Sequence, residues 1–116
     1  MEFKTAKIHH LSQIVRLLAD DELGAARERF EDPLPQAYLN AFEQIERQAG
    51  NSIIVAVENE EVVGCVQLTI IPGLARLGMT RGQIEGVRVA RGHRGKGIGK
   101  RYSVTRSTKR QLPAAR

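Results

Sequence analysis

The sequence predicts an α/β (α+β) domain on a mainly antiparallel sheet, in the order β-α-α-β-β-β, followed by a glycine loop and a short helix start. Three observations carry this. Two early segments place apolar residues at helical spacing. From residue 52 onward the pattern shifts to β-branched, alternating runs broken by turn residues. The last run leads into Arg88 to Arg101, where Gly92, Gly95, Gly97 and Gly99 are interleaved with Arg91, Arg94, Lys96, Lys100 and Arg101.

Phe3 to Ile8 reads as a short first strand. Leu11, Ile14, Val15 and Leu18 then form one face of an amphipathic helix, expected to end near Leu23-Gly24 because glycine supplies a C-terminal cap. Residues 25–35 are polar, end in Pro33 and Pro35, and read as a connection. Gln36 to Ala49 predicts a second helix with Tyr38, Phe42, Ile45 and Ala49 on one face, stopped by Gly50-Asn51. Ser52 to Val57 and Val62 to Ile71 predict a hairpin around a Glu58-Asn59-Glu60-Glu61 turn. Gly64 inside the second strand signals a bulge or a close backbone approach. Pro72-Gly73 breaks that strand, and a basic, glycine-bearing loop runs to Gly82. Gln83 to Val89 is the last strand, on which alternation would put Glu85, Val87 and Val89 on one face.

One domain is the most that 116 residues support. Its single cysteine, Cys65, excludes an internal disulfide, reads as a small buried hydrophobe and points to a reducing compartment. No apolar run approaches the roughly 18 residues of a membrane span, and no signal-peptide core opens the chain. A cytoplasmic protein is therefore expected. Charge is unevenly placed: residues 1–87 carry 8 Lys/Arg against 13 Asp/Glu, whereas residues 88–116 carry 10 Lys/Arg and no acid. An acidic body with a basic end implies an anionic partner at that end.

Glycines beside cations at a strand-to-helix transition suit a phosphate, because backbone N–H groups and the helix dipole point the same way. Two phosphate fingerprints fail. A P-loop would need glycine where Arg94 stands and Ser or Thr where Arg101 stands. The dinucleotide pattern would need glycine at Lys100 and a surrounding βαβ unit. No Cys/His cluster has zinc spacing. Nucleic-acid binding by the basic end is disfavoured by the near absence of stacking aromatics there, Tyr102 alone, and by the acidic body.

What remains is Arg94-Gly95-Lys96-Gly97-Ile98-Gly99, a Q/R-x-x-G-x-G/A motif, preceded by Ile84-Glu85-Gly86-Val87-Arg88-Val89 and by the Val62-Val63-Gly64 strand start. With the element order, these residues resemble the GNAT superfamily of N-acetyltransferases over about residues 3–101. The resemblance implies acetyl transfer from acetyl-CoA to an amine acceptor, either a small molecule or a peptide. It implies that the backbone of Arg94, Gly95, Lys96, Gly97, Ile98, Gly99 and Lys100 cradles the pyrophosphate. Main-chain groups of Val87, Arg88 and Val89 would meet the pantetheine and the acetyl carbonyl. Glu85 is the candidate general base, taking a proton from the amine directly or through water; its alternatives are a structural partner for Arg81 or an acceptor-binding carboxylate. Asp20, Asp21, Glu22, Glu28, Glu31 and Asp32 lie where the family places its acceptor and would suit a cationic amine, though such residues are usually just solvated charge. His9 and His10, being adjacent, should point apart, in a helix-entry or surface role.

The family continues past the glycine loop with a full helix, a parallel strand, another helix and a hairpin. After Arg101 the apolar periodicity is lost, so the reading is a partial domain at 1–101 and a basic tail at 102–116, disordered or a frayed helix. A shortened or frame-altered copy would account for this. Its alternative role is a non-catalytic acetyl-CoA-binding or interaction remnant. The Gln83–Val89 strand would then be a sheet edge through which two copies could pair.

Overall fold

The computed structural model describes residues 1–93. Four strands form one antiparallel sheet in sequential order: β1 (Glu2–Thr5), β2 (Asn51–Glu58), β3 (Glu61–Pro72) and β4 (Thr80–Val89). Helices α1 (Leu11–Leu18), α2 (Glu22–Arg27) and α3 (Gln36–Arg47) lie between β1 and β2.

β1 is shorter than the sequence spacing predicts. It pairs with β2 from Glu2 opposite Val57 to Thr5 opposite Ile54, and Ala6 N–H still reaches the Ile53 carbonyl at 2.8 Å. The next amide, Lys7, donates instead to His10 Nδ1 at 2.9 Å, which opens a 3-10 turn over Ile8–His10. His10 is buried, and its pKa is lowered by that burial and then by the charges of His9, Lys4 and Lys7. The two imidazoles do not point apart; their centroids are 4.0 Å apart at 47°.

α1 buries Leu11, Ile14, Val15 and Leu17. It stops at Leu18 rather than near Gly24, because Asp21 begins a new helix: its carboxylate accepts from Gly24 N–H at 2.5 Å, an N-cap bond. The expected connection from residue 25 is thus partly helical. Gly24 serves close approach, not capping, since a Cβ there would lie 1.9 Å from the Leu18 carbonyl oxygen. α3 starts after Pro35 and buries Phe42. Gly50, at φ +81°, returns the chain to the sheet.

The β2–β3 hairpin closes over Asn59 and Glu60, both with positive φ (52° and 65°), the geometry that matches the twist of paired strands. Between Ala56 and Val57 the register slips so that β3 carries one extra residue beside Gly64, the predicted bulge. The helices cover one face of the sheet, where Ala6, Val55, Val57, Val62 and Cys65 join the α1 residues and Phe42. On the other face Ile54, Ala56, Val63, Val66 and Leu68 form a second cluster, flanked by Phe3, Ile70, Ile84 and Val89.

Candidate functional site

β4 positions the site, and it has two unlike halves. From Thr80 to Glu85 it follows β3 residue by residue, with Thr69 opposite Gln83 and Gln67 opposite Glu85. Then β4 spends three residues where β3 spends two, and Cys65 faces Arg88. This is a β-bulge at Gly86-Val87, made possible by Gly86 at φ +61°, in the left-handed region. Cys65 Sγ donates to the Gly86 carbonyl at 3.6 Å. Burial pushes the Cys65 thiol up to about 11, so it is a hydrogen-bonding wedge under the bulge rather than a nucleophile.

The bulge corrects one expectation. Simple alternation put Glu85, Val87 and Val89 on one face. Cross-strand partners share a face, so Glu85 opposite Gln67 and Arg88 opposite Cys65 both look toward the helix side. Val89 turns to the other side, into the cluster with Ile84, and Val87 is 42% exposed. The inserted residue reverses the alternation.

Glu85 is exposed and accepts from Gln83 Nε2 at 2.7 Å, so its partner is Gln83 rather than Arg81. The neighbouring positions on this face are polar as well. Gln67 Nε2 donates to Asn51 Oδ1 at 3.1 Å and Thr69 Oγ1 to the same oxygen at 3.4 Å. Asn51, Gln67, Thr69, Gln83 and Glu85 therefore make a hydrogen-bonding floor across three strands. Sequence reasoning passed over Asn51, Gln67 and Thr69, although the alternation of polar and apolar residues in β3 was a signal for them.

At the strand end, Arg88 and Arg91 meet the α1–α2 turn. Arg88 Nε lies 3.6 Å from Asp21 Oδ2, and its Nη1 donates to the Val87 carbonyl at 2.9 Å. Arg91 Nη2 donates to the Asp20 carbonyl at 3.0 Å, with Nε 3.6 Å from Asp20 Oδ2. Asp20 and Asp21, expected either as solvated charge or as carboxylates beside an acceptor, are instead brought together with Arg88 and Arg91. Tyr38 donates to Glu28 at 2.6 Å and accepts from Arg29 N–H at 3.0 Å, which ties α3 to the segment after α2. Burial and then the Glu28 bond raise its phenol pKa. Arg94 to Lys100, the cradle expected from the motif, and the tail from 102 lie outside the described residues. Among the described residues no cluster of His, Cys, Asp and Glu could hold a metal ion, and no helix is long and apolar enough to cross a membrane.

Residues 13–102 match the model of the acetyltransferase (GNAT) family. The chain belongs to the GNAT family. Its fold agrees. A transcriptional regulator from Bacillus halodurans C-125 is 42% identical, with a TM-score of 0.86 over 94% of this chain and 75% of that one. A Trypanosoma brucei acetyltransferase is 27% identical, with a TM-score of 0.73 over 93% and 72%. A predicted acetyltransferase from Clostridium acetobutylicum, solved with acetyl-CoA, is 15% identical and shares the fold alone, at a TM-score of 0.69 over 93% and 71%. Comparison with curated proteins found no match. The GNAT model begins within α1 and runs through the glycine motif, so it spans the bulged strand and the motif residues after it.

Proposed function

We propose that this chain is an N-acetyltransferase that moves the acetyl group of acetyl-CoA directly onto an amine. The observation that carries the reading is the bulge at Gly86-Val87, with a solvent-facing carboxylate immediately before it and the glycine motif of the sequence starting at Arg94. A strand that breaks its ladder there can present main-chain groups of Val87, Arg88 and Val89 to a bound thioester. The exposed carboxylate of Glu85 stands beside the same point.

In the reaction the amine nitrogen attacks the thioester carbonyl carbon. A C–N bond forms, the C–S bond breaks, and the electron pair leaves with sulfur. Glu85, directly or through a water, takes the proton the amine must lose, and the CoA thiolate gains one from solvent or from an acid outside the described residues. Gln83 orients the carboxylate through the 2.7 Å bond. Arg94, Gly95, Lys96, Gly97, Ile98, Gly99 and Lys100 would bind the pyrophosphate through backbone amides and positive charge. The polar floor on the helix side is where an amine acceptor would lie.

Calorimetry with acetyl-CoA tests the reading, with Gly97→Glu as the control, followed by thiol release with a panel of amines. Saturable binding that the control abolishes, with amine-dependent thiol release, supports it. Binding without release leaves a cofactor-binding remnant; no binding overturns the proposal. The outer edge of β4, unpaired by any strand among the described residues, is the surface through which a homodimer would form. Sedimentation as a monomer at all concentrations would rule that out.

A further inference from the structure

We infer that the turn between β3 and β4 docks onto the α2 segment of a second copy of this chain, in a reciprocal dimer. The inference does not depend on the acetyl-CoA reading above and names a surface that reading leaves unused.

Between Pro72 at the end of β3 and Thr80 at the start of β4 the chain makes a short left-handed turn. Arg76 and Leu77 have φ +56° and +62°, and Gly78 follows at +75°. Two successive residues with side chains in that region are strained. The same turn holds Leu74 and Leu77 at 95% and 105% exposure, with Met79 half-exposed beside them. A lone exposed leucine is ordinary, but a cluster of large apolar groups from Leu74 to Met79 marks a contact surface. Arg76 and Arg81 belong to this tip, and neither forms an ion pair among the described residues. No acid occurs from Val62 to Ile84, so the tip calls for an acidic, apolar partner.

That complement is carried by the chain itself. Residues 22–32 expose Leu23 and Phe30 together with Glu22 and Asp32. Glu28 and Glu31 are engaged with Tyr38 and Arg29, whereas Glu22 and Asp32 form no ion pair among the described residues. The two surfaces cannot meet within one copy. The tip precedes Thr80, while Asp20 and Asp21, which lead into α2, contact Arg91 and Arg88 at the far end of β4. The strand of 10 residues puts about 30 Å between them. The basic end of the chain is no substitute, since residues 88–116 carry no acid.

A two-fold axis past the middle of β4 exchanges its ends, so each tip meets the partner's α2 segment through an identical contact. The outer edge of β4, without a strand neighbour among the described residues, leaves room for this approach. In each contact Leu74 and Leu77 cover Leu23 and Phe30, and Arg76 and Arg81 answer Glu22 and Asp32. A hollow of about 460 Å³ among Leu74, Arg76, Met79 and Arg81 gives an apolar side chain of the partner a place to enter.

Sedimentation equilibrium of the full chain over a range of concentrations tests this. The parent should show a reversible monomer–dimer equilibrium that weakens as salt is raised. Leu74→Ser/Leu77→Ser should raise the dimer Kd by about tenfold or more. Its urea midpoint should not move, because both leucines already face water. Arg76→Glu/Arg81→Glu and Glu22→Arg/Asp32→Arg should each be monomeric at concentrations where the parent dimerises. Mixed in equal amounts, these two variants should associate again, because both contacts of the mixed dimer then join opposite charges. Neither unfolding nor a contact elsewhere on the chain produces that recovery. A parent that stays monomeric overturns the inference. So does a dimer untouched by the leucine and charge variants, as one held by the β4 edge alone would be, or reversed variants that fail to associate on mixing. Acetyl-CoA binding is read separately by calorimetry, and its failure would leave this dimer standing.

Discussion

The two halves of β4 differ by one residue of register. Up to Glu85 the strand is a regular sheet member: Ile84 packs into the second cluster, and Gln83 and Glu85 face the helix side. After Gly86 the alternation is reversed, Val87 is exposed, Arg88 takes the helix side and Val89 goes to the opposite core. A bulge in β3 beside Gly64 also inserts one residue, yet it lies between buried neighbours, Val62, Val63 and Cys65. The same local device serves packing in one strand and presentation in the other. What separates them is whether the inserted residue has a core to enter.

The largest effect that would test this contrast is in the chemistry. Glu85→Gln should lower thiol release with a responsive amine by about 10²-fold to 10⁴-fold, the range for losing a positioned general base. Being exposed, it should leave the urea midpoint unchanged to within about 0.5 kcal/mol of stability. An unimpaired rate would remove Glu85 from the mechanism.

Gly86→Val comes next. The nearest atom to a Cβ there is 3.9 Å away, so the cost is backbone strain at φ +61° rather than collision, about 1–2 kcal/mol in urea denaturation. Acetyl-CoA affinity should fall with it. A neutral substitution would mean the bulge does not depend on glycine.

A smaller pair of substitutions separates the halves directly. Ile84→Ala, in the regular half, should cost about 1–2 kcal/mol, discounted from a full core truncation because Ile84 is only partly buried. Val87→Ala should stay within about 0.5 kcal/mol. Equal costs would mean that the alternation continues through the bulge. Last, with its pKa pushed up to about 11, Cys65 should carry only about one thiolate per thousand at pH 8. Ellman's reagent should label the native chain far more slowly than the urea-unfolded chain, and fast native labelling would place the thiol outside the wedge under Gly86.

Much of this architecture was legible in residue patterns. Leu11, Ile14 and Val15 at helical spacing form the buried face of α1, and the β-branched runs around Asn59-Glu60 form the hairpin. Gly64 did mark a bulge. The glycine motif, the strand before it, the Val62-Val63-Gly64 strand start and the element order together placed the chain in its family. The misread places share a cause. Gly24 looked like a helix end because glycine usually is one; here the Leu18 carbonyl, six residues back, dictates it. Alternation along Gln83–Val89 was sound until Gly86, and only the pairing with β3 shows where the extra residue falls.

The sequence by itself determined the elements that local chemistry controls: helix faces, turns, strand runs and the glycine motif with its charge. The tertiary structure alone decided which side chains meet. Asp20 and Asp21 lie some seventy positions from Arg91 and Arg88, and nothing in their local pattern distinguishes a clamped carboxylate from a solvated one. Periodicity specifies a face within one segment. A register shift or a contact between distant segments is set by packing that no single segment contains.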